Sequence, residues 1–277
     1  MYELKWLIWR WFDFLAAEFG EKTQRSLSYH FRFFLCLLCE LYVLNYIYKM
    51  AKIEKYNIQF LKNLKANNNR DWFAENKADY EKHQSNLVEV GDELLANLSK
   101  HDNIDTTSGK KSVIRVYRDI RFSKDKSPYK TYTGFGFSRA TQLLRGGYYI
   151  NIEPGNSFVG GGFWGPNKYD LLKIRKGIET DETEFRAILG SKELKSVFGE
   201  LKGEKLKTCP KGFDKESSAV DLLRYKQYLL MKEFSDAEVL SSNFLKEVDK
   251  TFKVMRPFLD LMSCILTTDE NGVPLYE

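Results

Sequence analysis

The chain has 277 residues, of which 43% are hydrophobic and 29% charged. That is enough apolar mass for a sizeable core and too much charge for a polytopic membrane protein. Forty-three basic against 38 acidic residues leave a net charge of +5, too small to announce a nucleic-acid partner by bulk charge, so any basic site has to come from local clustering.

Residues 1–49 read differently from the rest. They hold Trp6, Trp9 and Trp11, three of the five tryptophans. The stretch from Phe33 to Tyr48 is apolar apart from Glu40 and Asn45. It is shorter than the ~20 residues of a membrane-spanning helix and carries a charge near its centre. It also lacks the position and cleavage site of a signal peptide. Met50-Ala51-Lys52-Ile53 resembles an ordinary cytosolic start. Three readings stand for this extension: a translated upstream segment, a packed helical extension, or a membrane-associating hairpin. The first is preferred. Of Cys36, Cys39, Cys209 and Cys264, only the first two form a C-x-x-C, so the set reads as reduced thiols of a cytoplasmic protein.

From Met50 onward the pattern is that of one domain, 50–277. Asn57 is expected to cap a short helix carrying Ile58, Leu61 and Leu64. The run Asn67-Asn68-Asn69 breaks it, and Asn69 can cap a long helix over roughly 70–99, with Asp71 in its first turn. Trp72, Tyr80, His83, Leu87, Val90, Leu94 and Leu98 form its apolar stripe. His83 therefore reads as a satisfied core histidine. After a polar loop the period changes to two. Four strands are expected: Val113 to Phe122, Thr131 to Arg139, Gly147 to Glu153 and Ser157 to Trp164, with a tight turn at Pro154-Gly155-Asn156. Helices are then expected over 168–180, 182–190, 191–199, 217–230 and 236–264, with Asp181 or Thr180 and Ser235 as caps. A short strand from Tyr228 to Phe234 is an alternative that periodicity does not decide. The order gives an α+β fold: an antiparallel meander of four or more strands packed with helices from both flanking segments.

The segment from Lys110 to Lys130 carries the chemistry. Lys110, Lys111, Arg115, Arg118, Arg121, Lys124, Lys126 and Lys130 stand against only Asp119 and Asp125, a net +6. On a strand, Arg118 shares the apolar face of Ile114, Val116, Ile120 and Phe122 and needs a partner, with Glu153 and Asp170 as candidates. Arg115, Tyr117, Asp119 and Arg121 share the other face, where Asp119 can orient an arginine. The loop that follows, fixed by Pro128, can present Lys126, Tyr129, Lys130 and backbone N–H groups to an anion. For the lysines alone, a solvated basic edge strand is the simpler explanation. For the three arginines with Tyr129, a phosphate or carboxylate site is preferred.

Arg115-x-x-Arg118-Asp119-x-Arg121-Phe122, followed by Asp125-Lys126-x-x-Tyr129, resembles the signature of domain of unknown function 2461, an uncharacterised family of bacteria and some fungi. Asn69-Arg70-Asp71-Trp72-Phe73 and the Gly-rich segment ending at Trp164 are similar to that family as well. The resemblance runs from about residue 57 to the C-terminus. It implies a single α+β domain and marks Arg115, Arg118, Asp119, Arg121, Lys126 and Tyr129, but brings no activity with it.

Gly160, Gly162 and Gly165 satisfy G-x-G-x-x-G, but Pro166 follows at once and no helix opens within the motif. The glycines instead mark a close approach, by another backbone or by a ligand, in which case they and Trp164 would wall the arginine site. No histidine or cysteine cluster has metal spacing, so no metal and no cofactor are expected. The leading expectation is a small anionic, phosphate-bearing ligand held by Arg115, Arg121 and Lys126, with Tyr129 and Lys130 closing the loop side and Arg118 bracing from the core. The alternatives are a metal-dependent phosphoester hydrolase or nuclease using Asp119 and Asp125, and a non-catalytic module for nucleic acid or an acidic protein. No membrane association is expected for 50–277, and the oligomeric state is not legible.

Overall fold

A computed structural model describes residues 51–269 and 271–275; the readings of residues 1–49 lie outside the described residues. Four helices come first: α1 (Lys55–Ala66), α2 (Arg70–Glu75), α3 (Lys77–Leu98) and α4 (Gly109–Ser112). The sheet follows with β1 (Thr133–Ser138), β2 (Gly147–Ile152) and β3 (Ser157–Phe163). Helices α5 (Lys168–Thr180), α6 (Glu182–Gly190), α7 (Lys192–Phe198) and α8 (Val220–Leu223) precede β4 (Tyr228–Phe234), α9 (Asp236–Val239) and α10 (Phe244–Thr267). All neighbouring strands are antiparallel, in the order β1-β2-β3-β4. The α+β class and the antiparallel meander stand.

One of the four expected strands is replaced by another. Val113 to Phe122 is not a sheet strand; it meets β1 only at its start, with Val113 opposite Phe135 and Ile114 N bonded to Gly134 O, and then folds back on its own following segment. The fourth strand is Tyr228–Phe234, so the helix expected over 217–230 shrinks to α8. Two of the glycines explain the choice. A Cβ on Gly162, whose φ is +120°, would lie 2.2 Å from the Tyr228 carbonyl oxygen. One on Gly160 would lie 2.8 Å from the Leu230 oxygen. The close approach is that of the β4 backbone, not of a ligand.

Opposed residues share a sheet face, so Phe135, Phe137, Tyr148, Ile150, Val159 and Leu230 turn together into the core. The long helix α10 covers that face. Phe252 meets Tyr148 with ring centroids 4.7 Å apart, and Met255 fills the space above Gly161.

The helix ends show which caps work. Asn69 accepts from Trp72 N at 2.9 Å, Asp181 from Thr183 N at 2.9 Å, and Ser235 forms a full capping box with Glu238. Asn57 does not cap α1; the helix starts after Glu54, and the buried Asn57 side chain turns inward to His83 and Asn86. The helix expected over 70–99 breaks at Asn76, whose Nδ2 donates to the Trp72 carbonyl at 2.8 Å and competes with the helical ladder.

Candidate functional site

Residues 113–132 form a two-armed ribbon against the edge of β1. Ile114 N donates to Gly134 O at 3.0 Å, which fixes the first arm to the sheet. Tyr117 and Tyr129 oppose each other across the ribbon, with rungs from Arg118 N to Pro128 O at 3.0 Å and from Lys130 N to Val116 O at 2.8 Å. Its base is aromatic: the buried Tyr129 ring stacks on Phe73 at 4.1 Å and 15°, and Phe73 meets Tyr80 at 5.0 Å. The ribbon is thereby seated on α2 and α3.

The sequence placed Arg118 on a buried apolar face. In the structure that face does not exist beyond Val116, for Phe122 is 96% exposed. Arg118 ion-pairs with Asp125, and neither Glu153 nor Asp170 is its partner; Asp170 pairs with Arg145 at 2.6 Å. Asp125 also accepts from Ser127 Oγ at 2.6 Å and Ser127 N at 2.9 Å. These Ser127 bonds, with the Arg118 guanidinium behind them, hold the Asp125 carboxyl well below its ordinary range. Asp119 receives Arg121 Nε at 3.0 Å and Nη2 at 2.6 Å, which keeps its carboxyl low and raises Arg121. Lys126 Nζ donates to Ile120 O at 3.0 Å and closes the loop.

Two of the remaining cations act on each other. Lys130 Nζ donates to the Arg115 carbonyl at 2.6 Å, and neither Lys130 nor Arg115 has an ion-pair partner among the described residues. Burial, and then the Arg115 charge, push the Lys130 ammonium down. Arg115 and Lys130 are thus two like charges in mutual range with no carboxylate paired to either, although Arg115 also acts on Asp119, and Lys124 and Lys126 likewise have no ion-pair partner among the described residues. Tyr117 stands beside them, 57% exposed, and the Arg121 guanidinium lies 5.9 Å from the Phe122 ring.

The eight singled-out residues are therefore not one cluster. Arg118, Asp119, Arg121 and Lys126 build the loop; Tyr129 anchors it; Arg115 and Lys130 remain available. Trp164 follows β3, two strands away from the β1 edge, and packs on Tyr149 and Phe158 with centroids 5.9 and 6.2 Å apart. Asp119 and Asp125 are each engaged by a different arginine. No group of three His, Cys, Asp or Glu side chains is placed to hold a metal among the described residues.

Two buried polar centres lie outside the ribbon, and the first escaped the sequence. Arg139 is 1% exposed in its side chain and grips Asp102, 3% exposed, through Nε at 2.8 Å and Nη2 at 3.3 Å. Its guanidinium also reaches Asp260 and Ser263, while Tyr148 OH donates to Asp102 at 2.6 Å. Burial pushes Asp102 up, but the Tyr148 hydroxyl and Arg139 outweigh it and hold the carboxyl low. The signal was available: Thr133, Phe135, Phe137 and Arg139 alternate onto one face, so an arginine on a buried face was legible at 139 rather than 118. The second centre is His83, buried as expected, with Nδ1 2.9 Å from Asn57 Oδ1. Burial lowers its pKa to about 4.

Among the described residues no helix is long and apolar enough to cross a membrane. Comparison with curated proteins and with solved structures finds no match. The family model described as "Conserved hypothetical protein (DUF2461)" matches residues 57–261, a span that contains the whole ribbon, its aromatic seat and the sheet. The chain belongs to that family, domain of unknown function 2461.

Proposed function

We propose that the ribbon binds phosphate groups through Arg115 and Lys130, and that the phosphates belong to a single-stranded nucleic acid. The observation that carries this reading is the adjacency of these two cations without an acid paired to either, in a segment whose other arginines are already neutralised. An exposed ribbon favours an extended polyanion over an enclosed small molecule. Lys110, Lys111 and Lys124 extend the positive track, and Tyr117 and Phe122 offer exposed rings on which bases stack. Arg118, Asp119, Arg121, Lys126 and Tyr129 shape the ribbon, and Trp164 takes no part. The free thiols Cys209 and Cys264 suit a reducing compartment such as the cytoplasm.

The test is fluorescence anisotropy with a labelled oligothymidylate at several salt concentrations. Binding should weaken steeply with salt, and Arg115→Ala with Lys130→Ala should lower affinity ~10-fold or more and reduce the salt slope by about two. Saturable binding of inorganic phosphate without oligonucleotide binding would replace the polymer by a small ligand at the same cations. No binding of either probe would overturn the reading.

A further inference from the structure

A chain of three buried side chains fixes which nitrogen of His83 carries its proton. The chain is read from its far end. The Lys52 carbonyl can only accept, so Asn86 meets it through Nδ2 at 3.1 Å. Asn86 Oδ1 is then left to accept from Asn57 Nδ2, a bond buried within the core. That leaves Asn57 Oδ1 facing His83 Nδ1 at 2.9 Å. An amide oxygen against a ring nitrogen requires that nitrogen to donate, so Nδ1 holds the hydrogen. In a neutral ring the other nitrogen, Nε2, keeps a bare lone pair, and burial holds the ring neutral down to about pH 4.

Nε2 makes no hydrogen bond among the described residues and is not one of the fully enclosed unpartnered atoms. His83 lines a small pocket between α3 and the first arm of the ribbon. Ile114 and Val116 form its ribbon wall, with Tyr80, Gln84 and Tyr132 around it. Its water-centre volume of about 10 Å³ matches a single water or hydroxyl group. None of its lining residues carries a full charge. A lone pair in uncharged surroundings repels an anion and offers a cation no counter-ion, so the fitting occupant is neutral and brings its own hydrogen.

We propose that this pocket receives the hydroxyl group of a small neutral molecule, whose O–H donates to His83 Nε2 while its apolar part stays outside, at the pocket mouth beside Val116. This site is separate in sign and in place from the cations of the ribbon, and does not depend on them.

The experiment uses the full chain labelled with ¹⁵N-histidine, read by long-range ¹H–¹⁵N correlation at pH 7 and titrated with ethanol. The expected result is His83 with hydrogen on Nδ1 and none on Nε2, and a saturable movement of the Nε2 resonance as ethanol is added. Val116→Phe, which fills the pocket mouth, should abolish that movement while the tautomer and the rest of the spectrum persist. Arg115→Ala with Lys130→Ala should leave it unchanged. Hydrogen found on Nε2, a shift that grows linearly without saturating, or a response that survives Val116→Phe would each overturn the proposal.

Discussion

Asn68 holds Tyr129 by both of its backbone polar groups: Nδ2 donates to the Tyr129 carbonyl at 2.9 Å, and Oδ1 accepts from the Tyr129 N–H at 3.1 Å. The register explains the need. Tyr117 and Tyr129 are a non-hydrogen-bonded pair of the ribbon, so the N–H and C=O of Tyr129 point away from the other arm. One side-chain amide, 61 residues away, replaces a neighbouring strand. Asn68→Ala should therefore cost about 1–3 kcal/mol, the penalty of leaving such groups unpaired. Urea denaturation measures the loss, and faster amide exchange at Tyr129 locates it.

The buried Asp102–Arg139–Tyr148 group should respond asymmetrically. Asp102→Ala strands a guanidinium that is almost fully enclosed, with Asp260, Ser263 and the Arg145 carbonyl left beside it, and should destabilise by about 3–5 kcal/mol. Tyr148→Phe removes one hydrogen bond and keeps the ring on Phe252, so about 1–2 kcal/mol is expected. Denaturation midpoints of the two variants, compared at pH 7, check the order.

His83 makes stability depend on pH in a defined window. Its folded pKa is lowered to about 4 from an unfolded value near 6.5, so the unfolded chain takes up a proton first as pH falls. Its contribution is complete above pH 6.5 and is lost as pH drops toward 4, by about 3 kcal/mol. His83→Gln retains a donor for Asn57 and does not titrate. Unfolding free energies of the variant between pH 6.5 and 4 should show a slope shallower by one proton.

Gly161 separates packing from binding. A Cβ there would lie 2.4 Å from Met255 Sδ and 2.5 Å from the Gly147 carbonyl oxygen, the latter a backbone atom of the next strand. Gly161→Ala should cost about 1–3 kcal/mol by overpacking. If Gly161 serves only this packing, the folded variant should bind oligothymidylate as tightly as the parent. Weaker binding by a fully folded variant would return it to the site.

Much of the fold follows from periodicity and caps. Asn69, Asp181 and Ser235 end where their side chains satisfy helix N–H groups, and these are contacts over two or three residues. The meander from Thr133 to Phe163 is equally local, since Pro154-Gly155-Asn156 joins strands that alternate cleanly. Asn57 failed as a local signal for the same reason in reverse, because its side chain found a distant buried partner.

The charge cluster shows where such reading stops. Composition alone established that the positive charge of this chain is concentrated between Lys110 and Lys130, and spacing alone marked the arginines there. Which of those charges stays free was decided in three dimensions, because an ion pair is set by where side chains end and not by their order. Arg118 and Arg121 found carboxylates within their own loop, whereas Arg115 came to lie beside Lys130, fifteen residues later, with no carboxylate paired to either among the described residues. Alternation likewise announces that a face is apolar without saying whether anything covers it. Phe135 is enclosed in the core, whereas Phe122 stands in water.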